Sequence, residues 1–372
     1  MFTENNIVYG RVHHSGGEKR ERDFGADVVR ITALFLVLWV HYYLRNGFYY
    51  REVTDFGGFL TTSFRPVVMT CVPLFMMLTG YLKCGKGWNL RYYRSIVPVL
   101  LSYLIISAIH LLYKMFIRKE SATAGEWVLQ FLHFELATYG WYVSMYIGLF
   151  LITPLLNLIW RSCGSRQAHL AVVFTFVLLT FVPATFNKTS CGNIVPNYFQ
   201  SIYYVTYYMI GCFIRTYKPK PNRWILLALV VAFSVFLGWL NIVTRTEAGN
   251  YHTGFRTAYN GLPEGFLTTS MFLILYQCRC RRPAVRKLAA HISGVVFEVY
   301  LLSYLADVRI FPLFYKKYSM LLYIPVGIVM TMAVFILTYP IALCVNRLVR
   351  KIIPRTERER IGTAKPAFSK GD

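Results

Sequence analysis

Three residues of the segment "DVVRITALFLVLWVH" (27–41) are of types that do chemistry: Asp27, Arg30 and His41, set in a run that is otherwise apolar. An imidazole ordinarily titrates near neutrality, so His41 could take a proton from a hydroxyl or carry a transferred group. A guanidinium offers a planar fork of donors that matches phosphate oxygens, a task open to Arg30. Asp27 precedes Arg30 by three residues, so on a helix the two share a side. Arg30 and His41 are eleven residues apart, which is about 1100° of helical rotation, within about 20° of complete turns, and about 16 Å of rise. One stripe would therefore carry a cation near one end and an imidazole toward the other. Spacing alone leaves a plainer reading open: Arg30 snorkelling to the interface, Asp27 as a favourable charge at a helix N-terminus, and His41 hydrogen-bonded to a neighbour.

Other candidates lie further along. Glu298, in "SGVVFEVYLLSYLADV" (293–308), falls deep in an apolar segment, where an ionisable group is costly. It is expected to line a polar cavity, as a partner for a cation or a substrate hydroxyl, the alternative being a structural bridge between helices. Asp307 reads as interfacial. Arg91 and Arg94, three apart in "LRYYRSIVP" (90–98), could hold phosphate oxygens, or simply add to the positive charge of one membrane face. Trp141 and Tyr142 open "GWYVSMYIGLF", where they fit an aromatic belt and could also stack on sugar faces. His110, His133 and His169 are isolated and read as structural.

The elements that must position these residues are helices in a membrane. The 372-residue chain is 56% hydrophobic and 15% charged, where soluble domains carry about 25% charge. Apolar blocks at 168–186, 224–243 and 320–345 are long enough to cross a hydrocarbon layer about 30 Å thick. The pattern predicts an all-α, polytopic integral membrane protein with about ten transmembrane helices, near 25–45, 64–82, 95–117, 138–160, 168–187, 198–215, 224–243, 258–277, 289–310 and 319–346. An even number puts both termini on one side. The segments on that side hold 27 of the 40 Lys and Arg, against 12 on the other, with Arg30 the remaining one. By the positive-inside rule both termini are cytoplasmic. The net charge of +23 then faces anionic lipids or metabolites rather than nucleic acid. Residues 1–22 and 354–372 read as polar cytoplasmic tails around one membrane domain, 23–353, and the first 26 residues lack the apolar core of a cleavable signal. "NKT" (187–189) fits a glycosylation sequon. The eight cysteines are scattered, and no metal site is expected from them.

Several of these stretches together resemble the acyltransferase 3 family of multispanning membrane O-acyltransferases. "DVVRITALFLVLWVH" is similar to its opening helix, "VPLFMMLTGYL" (72–82) to its second, "YYRSIVP" (92–98) to the Arg-rich opening of its third, and "YGWYVSMYIGLFLITPLL" (139–156) to its fourth. "FEVYLLS" (297–303) resembles a late motif that in many members ends in His where this chain has Ser303. The chain looks nearest to the compact branch that includes the enterobacterial-common-antigen O-acetyltransferase. The resemblance implies an enzyme of the inner (plasma) membrane of the cell envelope. It would move an acyl group, most often acetyl, from cytoplasmic acyl-CoA to a hydroxyl of an extracytoplasmic or lipid-linked glycan or polysaccharide. His41 corresponds to the family's essential helix-1 histidine, as general base or transient acyl carrier. Arg30, Arg91 and Arg94 correspond to its arginines at the cytoplasmic mouth, where acetyl-CoA would be held. Asp27 and Glu298 join the expected catalytic set, and Trp141, Tyr142, Tyr300 and Ser303 the expected substrate contacts. A carrier that exports a polar metabolite or glycan without acyl transfer is the competing class, and a non-catalytic partner in glycan assembly a third.

Overall fold

A computed structural model describes residues 22–187, 195–244, 251, 258–315 and 317–353. Lys188 and Thr189 of the sequon, Cys191 and nearly all of both tails lie outside the described residues. Fourteen α-helices follow in chain order: α1 (Phe24–Arg45), α2 (Phe56–Met69), α3 (Cys71–Lys83), α4 (Leu90–Arg94), α5 (Val97–Leu112), α6 (Ala124–Leu132), α7 (Trp141–Ser162), α8 (Arg166–Phe186), α9 (Tyr203–Tyr217), α10 (Arg223–Val243), α11 (Leu262–Leu275), α12 (Pro283–Ser293), α13 (Val296–Ile310) and α14 (Tyr323–Ile352). No strand occurs among the described residues.

Seven helical units are long and apolar enough to cross a membrane: α1, α2–α3, α4–α5, α7, α8, α10 and α14. An eighth arises if α12 and α13, bent by 61° at their junction, are taken as one span. The expected ten helices therefore differ from the structure at α9 and α11. α11 has 14 residues, short of a full crossing, while α9, which runs on from a 3-10 turn at Asn197–Ile202, is not among the units apolar enough to cross. Both carry many fully buried side chains, among them Tyr207, Tyr208, Leu267 and Phe272, so neighbouring helices rather than lipid satisfy their surfaces.

The second span also starts earlier than its hydropathy suggests. Asp55 caps α2 by accepting from the Gly58 amide at 2.6 Å, and the helix runs through the polar stretch Thr61–Thr62–Ser63 and Arg65, all buried. Polarity there meets protein, so a lipid-based hydropathy reading misses the turns before residue 64.

Helix α1 is the hub. Its N-terminus is capped by Asp23, and Asp27 and Arg45 sit at the ends where the helix dipole favours their charges. Buried residues occupy every side of it, as befits a helix packed against α2, α3, α11, α12, α13 and α14. Helices α3 and α9 approach through glycine. A Cβ on Gly80 would strike the Tyr208 carbonyl, and one on Gly211 would strike that of Met77. Arg22, just before α1, and Arg350, near the end of α14, line one concavity, so both ends of the described chain lie at the same end of the bundle.

Candidate functional site

At the far end of α1, His41 is 7% exposed and stacks on Tyr139, with ring centres 3.8 Å apart and planes 20° from parallel. Its Nδ1 lies 3.3 Å from Oδ2 of Asp307 on α13, a close approach without the alignment of a hydrogen bond. The same carboxylate faces Arg45, whose Nε is 2.9 Å from Oδ1, and accepts from the Tyr139 hydroxyl at 2.5 Å. Asp307 is fully buried, which corrects its reading as an interfacial residue. Burial, and after it the adjoining Asp307 carboxylate, pushes the Tyr139 hydroxyl well above its usual range, so it remains a donor. The Arg45 guanidinium lies 5.0 Å over the Tyr304 ring. Nε2 of His41 takes no hydrogen bond among the described residues.

Below this cluster a cavity of about 250 Å³ runs along α1. Arg30 and Lys83 supply its cations, Val72, Phe75 and Leu78 much of its apolar wall, and Val37, Tyr142 and Tyr300 lie at the level nearest His41. From Arg30 to Val37 is seven residues, about 10 Å of helix. His41 itself does not line the cavity. The Tyr300 ring, 6.4 Å from the imidazole and 5.7 Å from Tyr142, stands between, its hydroxyl donating to the Tyr139 carbonyl at 2.8 Å. The cavity takes Arg30 and Val37 from α1, and its open space ends one helical turn short of the histidine.

The remaining candidates fall in different places. Asp27 is buried about 21 Å of helix away from His41. It pairs with Arg22 at 2.8 Å and Arg30 at 3.3 Å and accepts from Ser293 at 2.6 Å, which ties α1 to α12 and steadies the cavity's arginine. Glu298 is not part of the cavity wall. Its Oε1 accepts from Ser102 of α5 at 2.9 Å and Asn346 of α14 at 3.0 Å, the interhelical bridge that was its alternative reading. Arg91 and Arg94 are exposed on α4 and do not line the cavity. They stand close to its mouth, since Ser95 receives a 3.4 Å hydrogen bond from Lys83. Tyr142 and Tyr300 line the cavity, whereas Trp141 is 44% exposed and stacks on Tyr259. Ser303 is fully buried and its hydroxyl is turned back to the Tyr300 carbonyl at 2.8 Å.

Sequence reasoning missed Asp307, Arg45, Tyr139 and Lys83. A signal for Asp307 was present: it follows Tyr300 and Ser303 by seven and four residues, on the same helical face. Arg45 follows His41 by one helical turn. Two of the isolated histidines are structural, His110 bonded to the Leu301 carbonyl at 3.1 Å and His169 to the Trp160 carbonyl at 2.9 Å, while His133 is exposed at the end of α6.

A family model for an acyltransferase domain, acyltransferase 3, matches residues 23–340. No curated protein and no solved structure matches the chain.

Proposed function

The chain belongs to the acyltransferase 3 family, a multi-pass membrane protein of a transferase class, and on that premise we propose that it moves an acyl group, acetyl by preference, from acyl-CoA to a hydroxyl of an extracytoplasmic or lipid-linked glycan. The observation that carries this reading is the arrangement of His41: buried, backed by the Asp307 carboxylate, and set above a cavity whose other end holds Arg30.

Each group then has a chemical task. Asp307 lies 3.3 Å from Nδ1, where its charge favours a proton on that nitrogen and leaves Nε2 with the lone pair. Nε2 takes the proton of the acceptor hydroxyl as its oxygen attacks the thioester carbon, and the carbon–sulfur bond breaks. The proton on Nε2 passes to the departing thiolate. In the alternative route Nε2 itself attacks the thioester carbon and the thiolate leaves; the acceptor oxygen then attacks the acyl carbon, the bond to Nε2 breaks, and the acceptor's proton goes to the thiolate. General-base assistance of this kind contributes typically ~10²–10⁴-fold. Arg45 and Tyr139 keep the Asp307 carboxylate in place.

The cavity along α1 suits a slender apolar arm with a polar head at the Arg30 and Lys83 end, and Arg91 and Arg94 add positive charge near that mouth. Its orientation follows from the basic residues: the end holding both termini faces the cytoplasm, where acyl-CoA is made. The histidine end then opens to the outer half of a plasma membrane, where a glycan acceptor would be met. Tyr142 and Tyr300 would close on the acyl unit, and Tyr300 must move for the thioester to reach Nε2. In this reading Asp27 and Glu298 position helices rather than meet substrate.

The test uses purified protein and acetyl-CoA labelled in the acetyl group, comparing wild type with His41→Ala. Label transfer to an extracted glycan acceptor that is equal in the two proteins discards the assignment.

A further inference from the structure

A second concavity, about 360 Å³, lies on the other side of the α12–α13 bend, at the end of the bundle that holds both termini. Arg22, Lys287, His291, Asn346, Arg347 and Arg350 line it. We infer that it is a binding site for a phosphate-bearing anion, an inference that rests, for one of its two sources of ligand, on the acyl-CoA reading above. That source is the nucleotide phosphates of the acyl donor; the other is the headgroup of an anionic phospholipid.

The basic residues are arranged, not merely abundant. On α12 the lining positions 287, 290 and 291 recur at helical spacing, and on α14 so do 343, 346, 347 and 350, so each helix turns one face to the same hollow. Neighbouring basic residues of the same helices are left out of the lining: Arg286 donates instead to the Arg22 carbonyl at 3.3 Å. Among the described residues no carboxylate makes a contact ion pair with Lys287, Arg347 or Arg350. Two acids reach the rim from behind: Asp27 pairs with Arg22, and Glu298, which accepts from Ser102 and Asn346, acts on Arg350 through space, so Lys287, Arg347 and Arg350 keep three cations toward the hollow against one carboxylate. Lys287, Arg347 and Arg350 converge on the hollow from two helices, and guanidinium forks match phosphate oxygens, so a bound phosphate uses the geometry.

The hollow is also braced. Asn346 donates to the Gly294 carbonyl at 3.3 Å as well as to Glu298, which locks α14 onto the bend. Gly294 lines both cavities, and Arg22 lines this one while pairing with the aspartate that holds Arg30 in the other. A donor with an apolar arm and a phosphorylated head would find its two kinds of surface on adjoining sides of that partition.

The experiment reconstitutes the full-length protein in phosphatidylcholine nanodiscs and measures binding of labelled adenosine 3′,5′-bisphosphate. Replacing the rim with Lys287→Gln, Arg347→Gln and Arg350→Gln together is expected to weaken binding at least about tenfold, three contacts each of the order of a surface ion pair. An equal loss of charge outside the hollow, Arg223→Gln with Arg281→Gln and Arg282→Gln, should leave affinity within about twofold, which separates the site from bulk charge. In a parallel arm, phosphatidylglycerol is added to the discs and the unfolding temperature read. Stabilisation of the wild type that is lost in the rim variant, with nucleotide binding unaffected, assigns the site to lipid. Rim and control variants that match the wild type in both arms overturn the inference. A wild type that uses the rim in either arm yet transfers no acyl group sinks the function reading and leaves this site standing.

Discussion

His41 on α1 and Asp307 on α13, 266 residues apart in the chain, meet with Nδ1 3.3 Å from Oδ2 in a buried pocket. A carboxylate this close to Nδ1 favours, by its charge, the tautomer whose outer nitrogen is free to accept a proton. Asp307 is itself held from two sides, by Arg45 and by the Tyr139 hydroxyl, so the pair is fixed from its rear.

Asp307→Asn keeps the volume of the side chain but offers an amide that can donate to Nδ1 and reverse the tautomer. The acyl-transfer kcat is expected to fall by ~10² or more, with the KM for donor little changed. Steady-state rates with labelled acetyl-CoA check this. A variant within a few-fold of wild type would show that Asp307 serves structure alone.

Lys83 lines the cavity together with Arg30, while Arg91 and Arg94 stand outside it. Lys83→Ala is therefore expected to raise the donor KM by about tenfold, a loss of roughly 1.4 kcal/mol from one charge-assisted contact. Arg91→Ala with Arg94→Ala should cost less than Lys83→Ala. Donor titrations of the three proteins decide it, and the reverse order would relocate the phosphate contact to α4.

Much of the site was legible because helical periodicity survives in a membrane. The spacing of Arg30 and His41 placed a cation at a cavity and an imidazole beyond its end, on one helix. Arg45 and Asp307 were harder to see, since a pairing between α1 and α13 leaves no local mark. Lys83 looked like one more positive charge at a helix end, and nothing in its neighbours shows that the side chain turns inward over the Tyr92 and Phe150 rings. For the fold, hydropathy found the lipid-facing spans and misjudged the interior. The polar face of α2 and the short α9 and α11 are shielded by other helices, so they need not obey the rules of a helix in lipid.

Glu298 offers a contrast between a positioning and a chemical role. Both of its hydrogen bonds converge on Oε1, so Glu298→Gln can keep them and should leave activity and thermal stability close to wild type. Glu298→Ala strands the Ser102 and Asn346 donors and is expected to cost about 1–3 kcal/mol. Thermal unfolding in detergent, set beside transfer rates, checks both. A Gln variant that folds normally but is inactive would return Glu298 to the reacting groups.

Tyr142 and Tyr300 cap the end of the cavity nearest His41, with ring centres 5.7 Å apart and nearly perpendicular. Space for the acyl chain is therefore set by two rings. Tyr142→Ala removes one without touching the hydroxyl of Tyr300 that bonds the Tyr139 carbonyl. The variant is expected to gain on longer donors relative to acetyl-CoA. Each methylene newly accommodated in an apolar pocket is worth about 1 kcal/mol, so butyryl-CoA should improve by roughly tenfold or more in relative kcat/KM. Competition between acetyl-CoA and butyryl-CoA, read by mass spectrometry of the acylated glycan, measures the ratio directly. An unchanged preference would mean that the acyl unit does not lie against Tyr142, and that the donor's reactive end reaches His41 by a path other than this cavity.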